Sequence, residues 1–181
     1  MKIKYLFSKF LSSKGFTLIE LLIVIAILGV LAAGVLVAID PVEQIARGRD
    51  AGRKSVVGQI GRAFQAYYTA NTAYPTIAQW TNVPATNVLV TSGEIKVIPS
   101  QNAPIPVTVC TGGSMVNNFC YKVDAATSNM ALYTHVESKS EKNKCAGTAA
   151  NTWYVYASID GKSGVVCQAA EPNATTSYTY L

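Results

Sequence analysis

The chain is poor in the groups that do chemistry. Its 181 residues include one histidine, and 14% of them are charged. That histidine, His135, falls in a strand-like alternation with Tyr133 and Glu137. No nucleophile and base can be grouped around it, and no glycine-rich phosphate-cradling loop is present. These absences argue against an enzyme. Cysteine is limited to Cys110, Cys120, Cys145 and Cys167, with no closely spaced pair of the kind a structural zinc site uses. A surplus of bases is also missing where a nucleic-acid surface would need it. The formal charge is +5, but four of the fifteen bases (Lys2, Lys4, Lys9 and Lys14) precede Phe16, and the remaining eleven face ten acids. The basic balance therefore reports topology and not an affinity for nucleic acid.

What the chain does have is one long apolar run. From Phe16 to Ile39 the only charged residue is Glu20. A helix of that length is about 36 Å long, enough to cross a hydrocarbon core with some tilt. A secretory signal would have a shorter apolar core and no acid. The lysines before the run place residues 1–15 on the cytoplasmic side and the remainder outside. The position of Glu20 is unusual, because a carboxylate at the centre of a spanning helix costs about 2.5–3.5 kcal/mol, and less near its end. Such a residue calls for a partner.

The string Gly15-Phe16-Thr17-Leu18-Ile19-Glu20, after a short basic leader and before the apolar run, resembles the processing and methylation signal of type IV pilins and type II secretion pseudopilins. The resemblance implies cleavage after Gly15 by a prepilin peptidase of the membrane and N-methylation of the new amino group on Phe16. It also implies that Glu20 is an assembly residue, meeting the Phe16 amine of a neighbouring copy in a filament. Opposite charges in a low-dielectric bundle are costly apart and much less costly together. Related filaments lose helical form near glycines such as Gly29 and Gly34. Relatives often carry a proline where Val37 stands here, whereas this chain has its proline at Pro41.

Beyond the span, Asp40-Pro41 either starts a new helix or kinks a continuing one. Residues 40–70 read as an amphipathic helix with Val42, Ile45, Ala46, Val56, Ile60, Ala63, Phe64 and Tyr67 on its apolar face. Between Ile45 and Val56 the apolar stripe gives way to Arg47, Arg49, Asp50, Arg53 and Lys54. That half reads as solvent-facing, attracted to lipid headgroups or paired with acids such as Glu43 and Asp50 of neighbouring copies. Asn71 and Pro75 end the helix, and Tyr67-x6-Tyr74-Pro75 resembles the helix exit of the same families.

Residues 71–181 read as a β-rich head. Short strands are expected at 88–91, 95–98 and 107–110, followed by alternating strands at 119–124, 130–137, 153–159 and 164–167. The Asp160-Gly161 pair marks a turn. Four cysteines allow three pairings. Cys110 and Cys120 flank a turn-like stretch, which suggests Cys110–Cys120 and, with it, Cys145–Cys167; export favours disulfides over free thiols. Residues 138–145 read as a solvated charged loop, and 169–181 as a partly disordered tail or last edge strand. Asn173-Ala174-Thr175 matches a glycosylation sequon, a pattern short enough to arise by chance. Because major pseudopilins bind calcium in the head, the resemblance makes Asp160 a metal candidate. One carboxylate falls short of a site with six to eight oxygens, so no cofactor is expected.

The expected architecture is α+β: leader 1–15, transmembrane helix 16–39, amphipathic helix 40–70 and extracytoplasmic head 71–181. The expected function is a structural subunit of a type IV pilus or secretion pseudopilus. Its partners would be the prepilin peptidase, copies of itself or related pilins, a membrane assembly platform and membrane lipid. The alternative is a minor or competence pilin that takes up DNA.

Overall fold

A computed structural model describes residues 15–100, 110–126, 128–145 and 151–181. Most of the leader and most of the expected 107–110 strand lie outside the described residues. The structure forms two compact units, Met1–Pro41 and Val42–Leu181.

The first unit is dominated by helix α1, Leu18–Ile39, whose 22 residues are all solvent-exposed. It is long and apolar enough to cross a membrane. The helix is unbroken across Gly29 and Gly34, and stops at Asp40, whose backbone is left-handed with φ 46°. Helix α2, Pro41–Asn71, begins at the next residue. Pro41 therefore starts a new helix, where its missing N–H costs nothing.

In the second unit α2 packs on a five-stranded antiparallel sheet: β1 (Ser114–Val116), β2 (Phe119–Asp124), β3 (Asn129–His135), β4 (Asn151–Ala157) and β5 (Lys162–Gln168). Spatial order follows chain order, each strand pairing with the next. Asn117 and Asn118, both at positive φ, turn the chain from β1 to β2, and Gly161 at φ 64° serves between β4 and β5.

Alternation along the strands feeds two cores. Phe119, Tyr121, Met130, Leu132 and Tyr156 cluster with Val57, Ile60, Ala63 and Phe64 of α2, and with Trp80 and Leu89. The Phe64 and Tyr121 rings stack at 4.4 Å. Helix and sheet come close enough here that a Cβ on Gly61 would lie 2.7 Å from the Tyr156 ring. Cys120, Tyr133, Trp153, Val155 and Val166 form the second core with Tyr178 of the C-terminal segment.

That segment is not disordered. The Leu181 N–H donates to the Val165 carbonyl at 3.0 Å, and Tyr178 is buried. Nor are all the expected strands present. Val88–Thr91 is a single helical turn, α3, because the Asn87 side chain caps it by accepting from the Leu89 N–H. Residues 95–98 are irregular. The stretch before Cys120 contains β1, which was not expected. Two disulfides are present, Cys110–Cys120 and Cys145–Cys167.

Candidate processing and assembly site

Gly15, Phe16 and Thr17 precede the first turn of α1 and are exposed, Phe16 by 74%. Thr17 is the N-cap, with extended backbone. Its hydroxyl oxygen accepts from the Glu20 N–H at 3.3 Å. In return the Glu20 carboxylate takes the Thr17 N–H at 2.9 Å and the Thr17 O–H at 2.8 Å, both on Oε2. This is a reciprocal capping box, which satisfies amide donors that a helix start leaves open.

Two consequences follow. The Gly15–Phe16 peptide bond lies outside the helix, exposed and without a side chain on its Gly15 side. Glu20 is not alone in the isolated chain, since Thr17 holds its carboxylate. The sequence reading missed Thr17 as a functional partner, although the threonine and glutamate stand at capping-box spacing.

A second charged assembly lies on α2. Its inward face follows a three-four spacing: Glu43, Ala46, Asp50, Arg53, Val57, Ile60 and Phe64. Val42 and Ile45, expected on that face, are 70% and 57% exposed. The buried stripe is thus polar in its first half. The expectation that this half faces solvent, or pairs with neighbouring copies, is overturned by intrachain partners.

Glu43 accepts the backbone N–H groups of Lys139 at 2.9 Å and Ser140 at 3.0 Å, and Arg47 Nε at 3.0 Å. Those N–H donors, with Arg47 beside them, pull its pKa down to about 2. Asp50 accepts from the Glu137 N–H at 2.9 Å and the Ser138 N–H at 2.8 Å, and pairs with Arg53. Arg53 reaches Glu137 at 3.1 Å. Arg49 grips the Glu137 carboxylate with two nitrogens, which with Arg53 holds that acid below the usual carboxylate range. Lys54 pairs with Glu141 at 2.6 Å. The Cys145–Cys167 bridge ties the far end of this loop to β5.

Asp160 has a different task from the one considered for it. Its carboxylate accepts from Ser177 Oγ, from the Tyr178 N–H at 3.0 Å and from the Tyr180 hydroxyl at 2.9 Å. It latches the C-terminal segment. Burial alone would raise its pKa, but these donors hold it below the ordinary aspartate value. Among the described residues no group of three or more His, Cys, Asp or Glu side chains could hold a metal ion. His135 lies half-buried against Trp153, ring centres 3.8 Å apart, and burial lowers its pKa.

The family model for the prokaryotic N-terminal methylation motif matches residues 11–36. The chain carries the type IV pilin and pseudopilin signal. The match takes in Gly15, Phe16, Thr17 and Glu20 and most of α1, and ends before Asp40. No curated protein and no solved structure matches the chain. The motif marks a pilin-like or pseudopilin precursor and points to a structural subunit rather than an enzyme.

Proposed function

We propose that the chain is the precursor of a filament subunit of the type IV pilus or secretion pseudopilus kind. A prepilin peptidase removes residues 1–15 and methylates the Phe16 amine. The mature subunit waits in the cytoplasmic membrane through α1, with its head outside, and an assembly platform draws it into a filament with copies of itself or related pilins. One observation supports this reading: the methylation motif takes in Gly15, Phe16 and Thr17, exposed ahead of α1, and runs on into an apolar span whose first-turn acid is Glu20.

The chemistry is coherent. Cutting the Gly15–Phe16 bond converts an amide nitrogen into a cation at the positive end of the α1 dipole, where a cation is unfavourable and an anion favourable. Glu20 is the acid available there. Bundled helices bring the amine of one copy to the carboxylate of another, and each desolvated charge gains a counter-ion. Arg47, Arg49, Arg53 and Lys54 are each engaged by an acid of the same chain. The basic run in α2 that would have invited DNA is therefore neutralised internally.

The test is the N-terminus of the membrane-bound protein. It should begin at methylated Phe16 in cells with the peptidase and at Met1 without it. The Gly15→Val substitution places a branched side chain at the cut and should leave unprocessed precursor on a gel. Normal maturation of that variant would refute the reading.

A further inference from the structure

The Asn173-Ala174-Thr175 sequon is a motif that the filament reading leaves unused. A chance match carries no particular setting, whereas a true acceptor stands on a surface loop of an exported segment. Asn173 meets the structural part of that condition. Residues 171–181 form no helix or strand, and only 174–175 make a turn. Asn173 and Thr175 are exposed, while Pro172 and Ala174 beside them are buried. The buried neighbours anchor the segment and hold the asparagine out.

The backbone here is pinned without using the side-chain nitrogen. The Tyr178 hydroxyl accepts from the Asn173 N–H and donates to the Asn173 carbonyl, each at 2.6 Å. Tyr178 itself is buried in the second core. Asn173 Oδ1 accepts the Thr175 N–H at 3.0 Å and the Thr175 hydroxyl at 3.1 Å. A backbone N–H can only donate, so the atom it meets is the amide oxygen, and the orientation of the carboxamide is fixed. Its Nδ2 has no hydrogen-bond partner among the described residues. The nitrogen is thus presented while the oxygen is held by the threonine that the sequon requires. Helix α2 contributes to the first core and not to the second. A group added at Asn173 therefore lies on the sheet face that α2 leaves open.

We propose that Asn173 is an N-glycosylation acceptor. The donor is an oligosaccharide carried on a lipid pyrophosphate at the outer face of the cytoplasmic membrane, and an oligosaccharyl transferase joins the two. Nδ2 bonds to the anomeric carbon of the first sugar as the bond from that carbon to the pyrophosphate oxygen breaks. The lipid pyrophosphate leaves with the electron pair, and Nδ2 loses one proton to a base of the transferase. Nothing is oxidised or reduced. The two Thr175 hydrogen bonds to Oδ1 draw electron density toward the oxygen, which makes the Nδ2 proton easier to remove. The inference rests on the reading that the head is exported, because the donor lies outside.

The experiment takes the full chain from the cells that make it, reduces it and digests it with trypsin. Peptide 163–181 is read by mass spectrometry, with fragmentation that keeps side-chain sugars in place. It should be heavier by one oligosaccharide, with the added mass on Asn173. Asn173→Gln and Thr175→Ala should each abolish the added mass, and Thr175→Ser, which keeps a hydroxyl, should retain it. A sugar that survives Thr175→Ala overturns the proposal. So does an added mass on the hydroxyl of Thr175, Thr176, Ser177 or Thr179, which is a different modification. The N-terminal peptide of the same digest separates this proposal from the reading beneath it. Bare Asn173 on a chain beginning at methylated Phe16 overturns the acceptor site and leaves the filament subunit standing. Bare Asn173 on a chain beginning at Met1 overturns both.

Discussion

Asp50 and Arg53 are each 2% exposed, yet both are charged and stand in a stretch that reads as a solvated helix face. They are tolerated there because each is paired and Asp50 also accepts two backbone N–H groups from the loop after β3. Removing one member of such a pair leaves the other buried and under-partnered, a loss of about 3–5 kcal/mol. The Asp50→Ala substitution should therefore lower the stability of the head by about that amount in chemical denaturation; a change under about 1 kcal/mol would show that the pair is dispensable. Glu43 gives a pH signature. Its carboxyl titrates near 2 in the folded chain against an ordinary value of 4.5. Its contribution is therefore fully present above the ordinary value and fades as pH falls through about 2. Glu43→Gln should be less stable than the parent at neutral pH, and the two melting temperatures should converge between pH 5 and pH 2. A gap that stays constant over that window would refute the assignment. The sequence could not show these roles. The partners of Glu43, Asp50 and Arg53 in the loop after β3 lie 84–97 residues away. Thr17 was different: its capping relation to Glu20 is local and stood in the sequence.

At the scale of elements, legibility followed the range of the controlling interaction. Strands β2 to β5 were readable because residues alternate between two cores, and α1 because its composition alone meets the length of a bilayer. The residues of α3 are Val88, Leu89, Val90 and Thr91, types that favour strands, but Asn87 caps them into a turn while its amide donates to the Thr81 carbonyl at 2.8 Å. The C-terminal segment has no regular pattern of its own. It is ordered by Asp160 and by Glu171, which accepts from Lys122 at 2.8 Å and from the Thr111 N–H at 2.9 Å. The loop after β3 is fastened at two places, to α2 by carboxylates and to β5 by Cys145–Cys167, whose cysteines are 22 residues apart. Loop-closure entropy makes such a bridge worth about 3 kcal/mol. Replacing both cysteines with serine should lower stability by about that much. It should also raise hydrogen exchange of the Glu137, Ser138, Lys139 and Ser140 amides more than that of strand β2. Uniform exchange across the head would mean that the bridge does not fasten this loop.

For the molecule as a whole, the arrangement at Glu20 poses a competition. In the isolated chain the carboxylate already has Thr17, through two bonds within its own first turn. Filament formation must therefore offer it something better than a neutral cap. On the proposed reading a methylated amine of another copy does so, because a hydrogen bond to a charged donor is roughly twice as strong as a neutral one, and stronger again away from water. In that proposal the capping box keeps the carboxylate of the membrane-bound subunit from standing bare, and the incoming cation supplies the drive to leave. Glu20→Leu removes the acid from both states. The single subunit should tolerate the change, since the span becomes more apolar and loses one cap hydrogen bond network at its end. The assembled state should not, since the Phe16 amine of each copy is left buried without a counter-ion. The variant is thus expected in the membrane fraction at parental levels and cleaved at Gly15, yet absent from sheared extracellular or periplasmic filaments. Thr17→Val tests the other half: it removes the hydroxyl but leaves the acid, and should assemble. Filaments from the Glu20→Leu chain at parental yield would show that assembly runs on apolar contacts along α1 alone.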